Sequence, residues 1–472
     1  MEKMKRWISL VLLAAMVLSL AACGGDSTAG STASAGSGGS AAQTGDTGAA
    51  QRLEEQKELN VMLVAGNFAE SLEKIYSDYE DEYGVKINYT ILGVDTYFQK
   101  MLVEMSSGSD AYDVIYLMSP QFLQYASNDW LFPLDDFIAD KSITDDEVLA
   151  LDGLAESSLE AQRYDGKLYG LPVCSLTTLL YWRKDLFEAA GLDPEQPPET
   201  WEELREYAKL LHKDGVAGVA MRGARSAGGS EGLIWEWPMV MYSMGGDFVE
   251  NFPDDMTPTL NSPEVVESVE YYADLLQNYS IPGATTCNFE DITVAVQQGD
   301  LAMWIDGAAI VPNYINPEMS KTTEDMVGFA PVPAGPEGRC APLNVHSVNI
   351  PKNAKNKERA WHFIQWALSE EIMVRLGTEG NLVTVARDSV YEDPAFIEVN
   401  DIGDGAWLGA MRDSLANYAM AKYRPLTPEW PEVADIVSGY ISDVFAGQIS
   451  AQDAMDQANE EVRKVYEEAG YI

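Results

Sequence analysis

Positive charge is scarce in this chain. Against 75 Asp and Glu it carries 31 Lys and Arg, a formal net charge of −44 over 472 residues. A field of that sign repels nucleic acid and anionic lipid surfaces, so a nucleic-acid-binding role is excluded, and it weighs against an anionic ligand. Histidine is nearly missing, with only His212, His346 and His362, and none of the four cysteines stands in a Cys-x-x-Cys pair. A zinc-type metal site is therefore not expected, and no cofactor is implied. There is no His-Glu-x-x-His, no phosphate-binding loop and no internal repeat, which removes zinc proteases, P-loop nucleotide enzymes and solenoids from consideration. Beyond the first two dozen residues no apolar run is long enough to span a membrane.

The N-terminal stretch is different in kind. Lys3, Lys5 and Arg6 precede an apolar run from Ile8 to Leu20, which ends in Leu20-Ala21-Ala22-Cys23. This pattern resembles the bacterial lipobox, and it predicts a lipoprotein signal peptide over 1–22 with lipid attached to Cys23; the plainer alternative is a secretory signal beside an incidental cysteine. Each buried lipid CH₂ contributes roughly 0.8 kcal/mol, so two or three acyl chains would hold the protein on the extracytoplasmic face of the cell membrane. Gly24 to Ala50 is Gly, Ser, Ala and Thr with little apolar bulk, and 23–57 is read as a flexible tether. The remaining body, to Ile472, is too long for one ordinary domain and implies two. Cys174, Cys287 and Cys340 remain there, an odd number that permits one disulfide without saying which.

Along the body, strand and helix signals alternate. Leu59–Val64, Val85–Leu92 and Tyr112–Leu117 read as strands; Phe68–Tyr83 and Asp95–Ser107 carry helical spacing. This order implies a parallel or mixed sheet with helices on both faces. Ligands in such sheets bind at the carboxyl ends of the strands, which makes the loops at Ala65–Asn67, Gly93–Asp95 and Met118–Pro120 candidate walls. Tyr164 to Pro172 reads as a hairpin feeding a crossing strand, and Thr200 with Glu203 forms a capping-box pattern ahead of a helix.

Several motifs then converge. Leu171-Pro172, Tyr181-Trp182-Arg183-Lys184-Asp185-Leu186-Phe187, Ala190-Gly191-Leu192 and Pro198-x-Thr200-Trp201-x-Glu203-Leu204 follow one another in order. Further on come Gln298-Gly299-Asp300-Leu301-Ala302-Met303-Trp304-Ile305-Asp306-Gly307, Gly328-Phe329-Ala330-Pro331-Val332-Pro333, Ile350-Pro351-Lys352-Asn353 and Ala360-Trp361-x-Phe363-Ile364. Together they resemble the extracellular solute-binding proteins of the maltose-binding type over nearly the whole body. The resemblance implies a periplasmic-binding-protein-like α/β fold: two α/β lobes with a hinge and an interlobe ligand cleft. Lobe 1 would take 58–170 and 330–376 and lobe 2 would take 171–329 and 377–472, the chain crossing near Leu168–Pro172, Phe329–Pro333 and Leu376–Gly380. It also implies a monomer that captures a carbohydrate or polyol for the permease subunits of an ABC importer, and no enzyme activity. Leu260-Asn261-Ser262-Pro263 and Tyr279-x-x-Pro282-Gly283-Ala284-Thr285 look like the polyol-binding branch. Leu176, where that branch often has an acid, and Asn344-Val345-His346, where it is rich in tryptophan, depart from it, so no particular polyol carries over.

A sugar or polyol site needs flat aromatic walls and groups that grip hydroxyls in pairs. Trp304 and Asp306, two apart at a strand end, would share one face, although Asp306 could instead cap the segment from Gly307. Trp235 and Trp237 share a face on the same reasoning, with core packing as the alternative for either. Arg222 is a candidate against a surface ion pair. Trp407 follows a loop, His346 lies in a departing stretch, Asn67 and Ser119 sit at strand ends, and Thr177 stands just past the presumed crossover. Two other readings stay open. An exported glycoside hydrolase would need two carboxylates roughly 5–10 Å apart; a sugar-binding sensor or adhesin would feed no importer.

Overall fold

The computed structural model describes residues 52–225, 232–420 and 423–472. Cys23 and nearly all of the tether read from the sequence lie outside them. The body opens with β1 (Glu58–Val64), α1 (Asn67–Tyr83), β2 (Lys86–Leu92), α2 (Val94–Ser106), β3 (Val114–Met118) and α3 (Ser119–Ser127). The first five match the sequence expectations to within a residue or two, whereas α3 begins inside the stretch Met118–Pro120, which the sequence reads as a loop. α1 ends where Gly84 takes φ 62°, a left-handed conformation that costs glycine nothing. β3 is buried along its whole length, as expected of a central strand covered on both faces.

Next come the short strands β4 (Arg163–Tyr164) and β5 (Lys167–Leu168), then β6 (Gly170–Leu176), β7 (Thr178–Arg183), α4 (Trp201–Leu211) and α5 (Leu233–Ser243). The β4–β5 hairpin turns on Asp165 and Gly166, both at positive φ (47° and 73°), the conformation an Asp-Gly pair favours. Thr200 caps α4 by accepting from the Glu203 backbone N–H at 3.2 Å. The Glu203 carboxylate accepts from the Glu199 N–H rather than from Thr200, so only half of the expected capping box forms. The chain continues through β8 (Met303–Gly307), β9 (Val327–Pro331), β10 (Asn344–Asn349), α6 (Lys357–Ala367), α7 (Glu370–Thr378), α8 (Ala406–Asn417), α9 (Trp430–Phe445) and α10 (Ala451–Ala469).

Two principal sheets organise these elements. The first has the order β2-β1-β3-β10-β6; β1, β2 and β3 run parallel, and β10 is antiparallel to both β3 and β6. The second has the order β8-β7-β9 with antiparallel pairing throughout. β10, which falls in the 330–376 stretch expected in lobe 1, thus joins the first sheet.

The chain passes between the sheets three times, and each passage sits later than the sequence motifs suggested. β6 pairs with β10 as far as Leu176, so the first crossing is at Thr177 and not at Leu168–Pro172. β9 remains in the second sheet through Pro331, and the next crossing occupies 332–343. α7 packs on α1, and the Ala386 N–H still donates to the Val173 carbonyl, so the last crossing follows residue 386 instead of falling at Leu376–Gly380. Proline, glycine and turn motifs mark where strands begin; which sheet a strand joins is decided by its partners.

Candidate functional site

The carboxyl ends of β1, β3 and β6 surround a cavity of about 140 Å³. Val64 to Phe68, Val94, Tyr116, Met118, Cys174, Leu176 and His346 line it from the first sheet, with Leu382 and Thr384 from the segment after α7. Ala309, just after β8, closes it from the side of the second sheet. A wider groove of about 1080 Å³ runs past Leu53, Asp78, Lys141, His362 and Arg375; its described walls come from the segment around Leu53, from α1, from α6 and α7 with Ser369 between them, and from the 141–148 segment. It takes nothing from the second sheet, so it cannot report on how the two bodies meet.

His346 is the polar centre of the smaller cavity. It stands opposite Met118 on one side and Cys174 on the other, and the β10–β6 register slips between His346 and Ser347, an irregularity of the kind that re-aims a side chain. Its Nδ1 lies 2.5 Å from the Tyr116 hydroxyl, while Nε2 is buried with no partner among the described residues. Burial, and after it the nearby charge of Arg424, hold this imidazole down to about 3, so it is neutral at physiological pH. Burial likewise pushes the Cys174 thiol up to about 12. Arg424 is itself buried, and its guanidinium stacks over Trp235 at 5.5 Å and Tyr423 at 5.7 Å.

Beside this lies a sealed ionic cluster. Arg222 donates from Nε to Asp306 Oδ1 at 3.1 Å and a second time through its terminal nitrogen. Glu236 Oε1 is 3.4 Å from Arg222 Nε, and Glu236 Oε2 accepts from the Arg222 backbone N–H at 2.7 Å. Asp306 also accepts from the Gly307 N–H at 2.7 Å and from the Tyr314 hydroxyl at 3.1 Å. Both carboxylates are fully buried. Burial first, and the Asp306 charge second, raise the Glu236 carboxyl well above the usual range, against the pull of Arg222. Burial and the Asp306 charge thus favour the protonated form of Glu236 beside the Arg222–Asp306 pair.

A folded-state value above the unfolded one means that the native protein holds a proton the unfolded chain releases. Stability must then fall as pH rises through that interval. Glu236→Gln, neutral in both states, should gain on the wild type by about 1.4 kcal/mol per pH unit above roughly pH 4.5. Urea titrations of both proteins between pH 4.5 and 7 read this out; parallel curves would mean that Glu236 is ionised.

Of the residues singled out from sequence, Asn67 and His346 line the cavity, and Trp235 stands next to it through Arg424. The others are committed elsewhere. Trp304 is fully buried, stacked on Tyr181 at 5.3 Å and edge-on to Tyr314. Asp306 shares its face as expected, but that face turns inward to Arg222. Trp237 is fully buried against Phe248 and donates to Ser268 at 3.0 Å. It does not share a face with Trp235, because both lie in the helix α5, where residues two apart point to opposite sides. Trp407 follows a loop, as expected, and lies in the first turn of α8, but its indole is fully buried and donates to the Ala308 carbonyl at 3.2 Å. The Ser119 hydroxyl donates to the Val345 carbonyl at 3.1 Å and accepts from the Val345 N–H at 2.9 Å. Thr177 pairs with the Ser414 hydroxyl at 3.1 Å. Arg222 forms a buried ion pair, not a surface one.

Sequence reasoning missed Tyr116, Cys174, Glu236 and Arg424. Glu236 had a usable signal: it stands inside the apolar run Leu233 to Met241, and a helix that is apolar all round is buried all round. Arg424 had none, since its aromatic partner Trp235 is 189 residues away in sequence.

The model of the bacterial extracellular solute-binding protein family matches residues 65–374. The mannitol-binding protein of Pseudomonas aeruginosa is 23% identical, the match covering 88% of this chain and 94% of that one. A Sinorhizobium fredii protein named as a probable amino-acid ABC transporter periplasmic-binding protein is 28% identical over 72% of this chain and 75% of its own length. Among solved structures, an ABC transporter solute-binding protein of Agrobacterium radiobacter K84 in complex with ribitol superposes with a TM-score of 0.73 at 25% identity, covering 86% of this chain and 98% of that one.

Proposed function

Because this chain belongs to the bacterial extracellular solute-binding proteins, we propose that it captures a small carbohydrate or polyol between two α/β lobes and hands it to the permease of an ABC importer. The observation that carries this reading is the placement of the cavity: its walls are the strand ends of the first sheet, and Ala309 reaches it from the second. A ligand touching both bodies binds the closed arrangement better than the open one, which is the condition for binding to drive closure. The three passages of the chain between the sheets would serve as the hinge. On this reading lobe 1 comprises 58–176 and 344–386, lobe 2 comprises 178–331 and 406–472, and the protein acts as a monomer. The volume favours a monosaccharide-sized ligand over an oligosaccharide, since about 140 Å³ falls below the roughly 300–1,000 Å³ of drug-sized pockets. The mannitol and ribitol of the relatives are of that size.

Lipid on Cys23, with 24–51 as the tether, would hold the protein at the outer face of the membrane; among the described residues no helix is long and apolar enough to cross it. The buried acids Asp306 and Glu236 do not favour a catalytic role, since they sit on one arginine with no exposed surface. The sequence does spell Gly-x-Ser-x-Gly at Gly228–Gly232, and Ser230 lies outside the described residues.

A thermal-shift panel of monosaccharides, polyols, short oligosaccharides and amino acids tests the reading. A cognate ligand at a hundredfold excess over Kd adds about 2.7 kcal/mol of stability. A shift from a small sugar or polyol without turnover is expected. A shift from amino acids alone, or release of product from a glycoside, would overturn it.

A further inference from the structure

The cavity differs in charge from the rest of the molecule. None of the described residues that line it is Asp or Glu, in a chain whose net charge is −44. One helix begins at its wall without a side-chain cap: α1, seventeen residues long, follows Gly66. Its first N–H groups have no acceptor inside the helix, and the helix dipole places partial positive charge at that end. α3 follows Met118, but its first N–H, that of Ser119, already donates to Asn344 Oδ1 at 3.3 Å, and Pro120 has none to offer. Glu70, in the first turn of α1, faces solvent.

An independent group points the same way. His346 is 8% exposed and lines the cavity, and its Nε2 has no partner among the described residues. Tyr116, whose hydroxyl burial keeps protonated, can donate to Nδ1 of the neutral ring, which leaves the proton on Nε2 and makes that atom a donor. The Arg424 charge, close enough to act on His346, adds to the positive field.

Resting on the carbohydrate-capture reading above, we infer that the ligand is an acidic sugar or polyol, whose carboxylate or phosphate sits at the amino end of α1 with His346 Nε2 as a further donor. Helix N-termini with unsatisfied N–H groups are ready anion sites. The overall acidity of the chain slows the approach of such a ligand from a distance, but salt screens that field over about 10 Å, whereas the contacts inside the cavity act unscreened.

Calorimetric titration of the whole body with matched pairs tests this: ribitol against ribonate, galactose against galacturonate, and glycerol against glycerol 3-phosphate. The expected result is at least one acid binding tenfold or more tighter than its neutral partner; the sugar-acid and phosphate arms identify which group is taken. Asn67→Asp adds one negative charge at the first position of α1, where Asp is well tolerated, and should weaken the acid at least tenfold while Asn67→Ala weakens it far less. Neutral members binding as tightly as the acids, or Asn67→Asp and Asn67→Ala behaving alike, would overturn the inference and leave carbohydrate capture standing. Binding by no member of any pair would overturn both.

Discussion

Arg222→Met is expected to destabilise the fold by about 3–5 kcal/mol, the usual result of removing one partner of a buried ion pair. The arginine is the cation of a cluster in which Asp306 is fully buried and Arg222 itself is 4% exposed. Methionine fills much of the same space but, among the described residues, leaves Asp306 with the Tyr314 hydroxyl and the Gly307 N–H as donors. Adding Asp306→Leu to Arg222→Met should recover most of the loss, since apolar replacement of a whole buried pair is often neutral or favourable. Asp306→Ala alone should cost less than Arg222→Met. Without Asp306, the second of the two influences that raise Glu236 disappears, and Glu236 can ionise and take over as the counter-charge. Urea denaturation of the four proteins at pH 7 establishes the order. A loss below about 1 kcal/mol for Arg222→Met is the size of a surface pair, and it would contradict the sealed cluster.

Ala309→Trp should abolish ligand binding and leave the unliganded protein as stable as before. Ala309 is the contribution of the second body to the cavity wall, it is partly exposed, and an indole there occupies much of the available space. A ligand that raised the apparent stability of the wild type by about 2.7 kcal/mol at a hundredfold excess would then give no shift. The substitution separates the cavity from the wide groove beside α6 and α7: a retained shift would move the ligand to that groove or elsewhere. It also separates binding from folding, because Ala309 makes none of the buried polar contacts on which the Arg222 cluster depends.

Much of the first sheet was legible in the sequence. Leu59–Val64 and Tyr112–Leu117 are short apolar runs bounded by turn residues, and Phe68–Tyr83 repeats at helical spacing; such patterns depend on neighbours within a few residues. From them the strand ends followed, and with them Asn67, which does line the cavity. His346 was found through a departure from a family pattern rather than through chemistry. The tryptophans failed for an instructive reason. Indoles suit a sugar face, but they also suit a core, and only packing tells the two apart. Trp304 stacks on Tyr181, 123 residues earlier, and Trp407 donates to Ala308, 99 residues earlier.

By itself, then, the sequence determined the alternating strand and helix order, the two-body architecture and the family, because each is written in local periodicity and in motifs that recur in order. Tertiary structure alone decided which sheet each crossing strand joins, that Arg222, Asp306 and Glu236 form one sealed cluster, and that the cavity is walled by helix starts and a neutral imidazole instead of tryptophan and carboxylate. The reason is physical: burial and charge pairing are properties of distance in space, and partners 230 residues apart in the chain, as Tyr116 and His346 are, come together only when the sheets form.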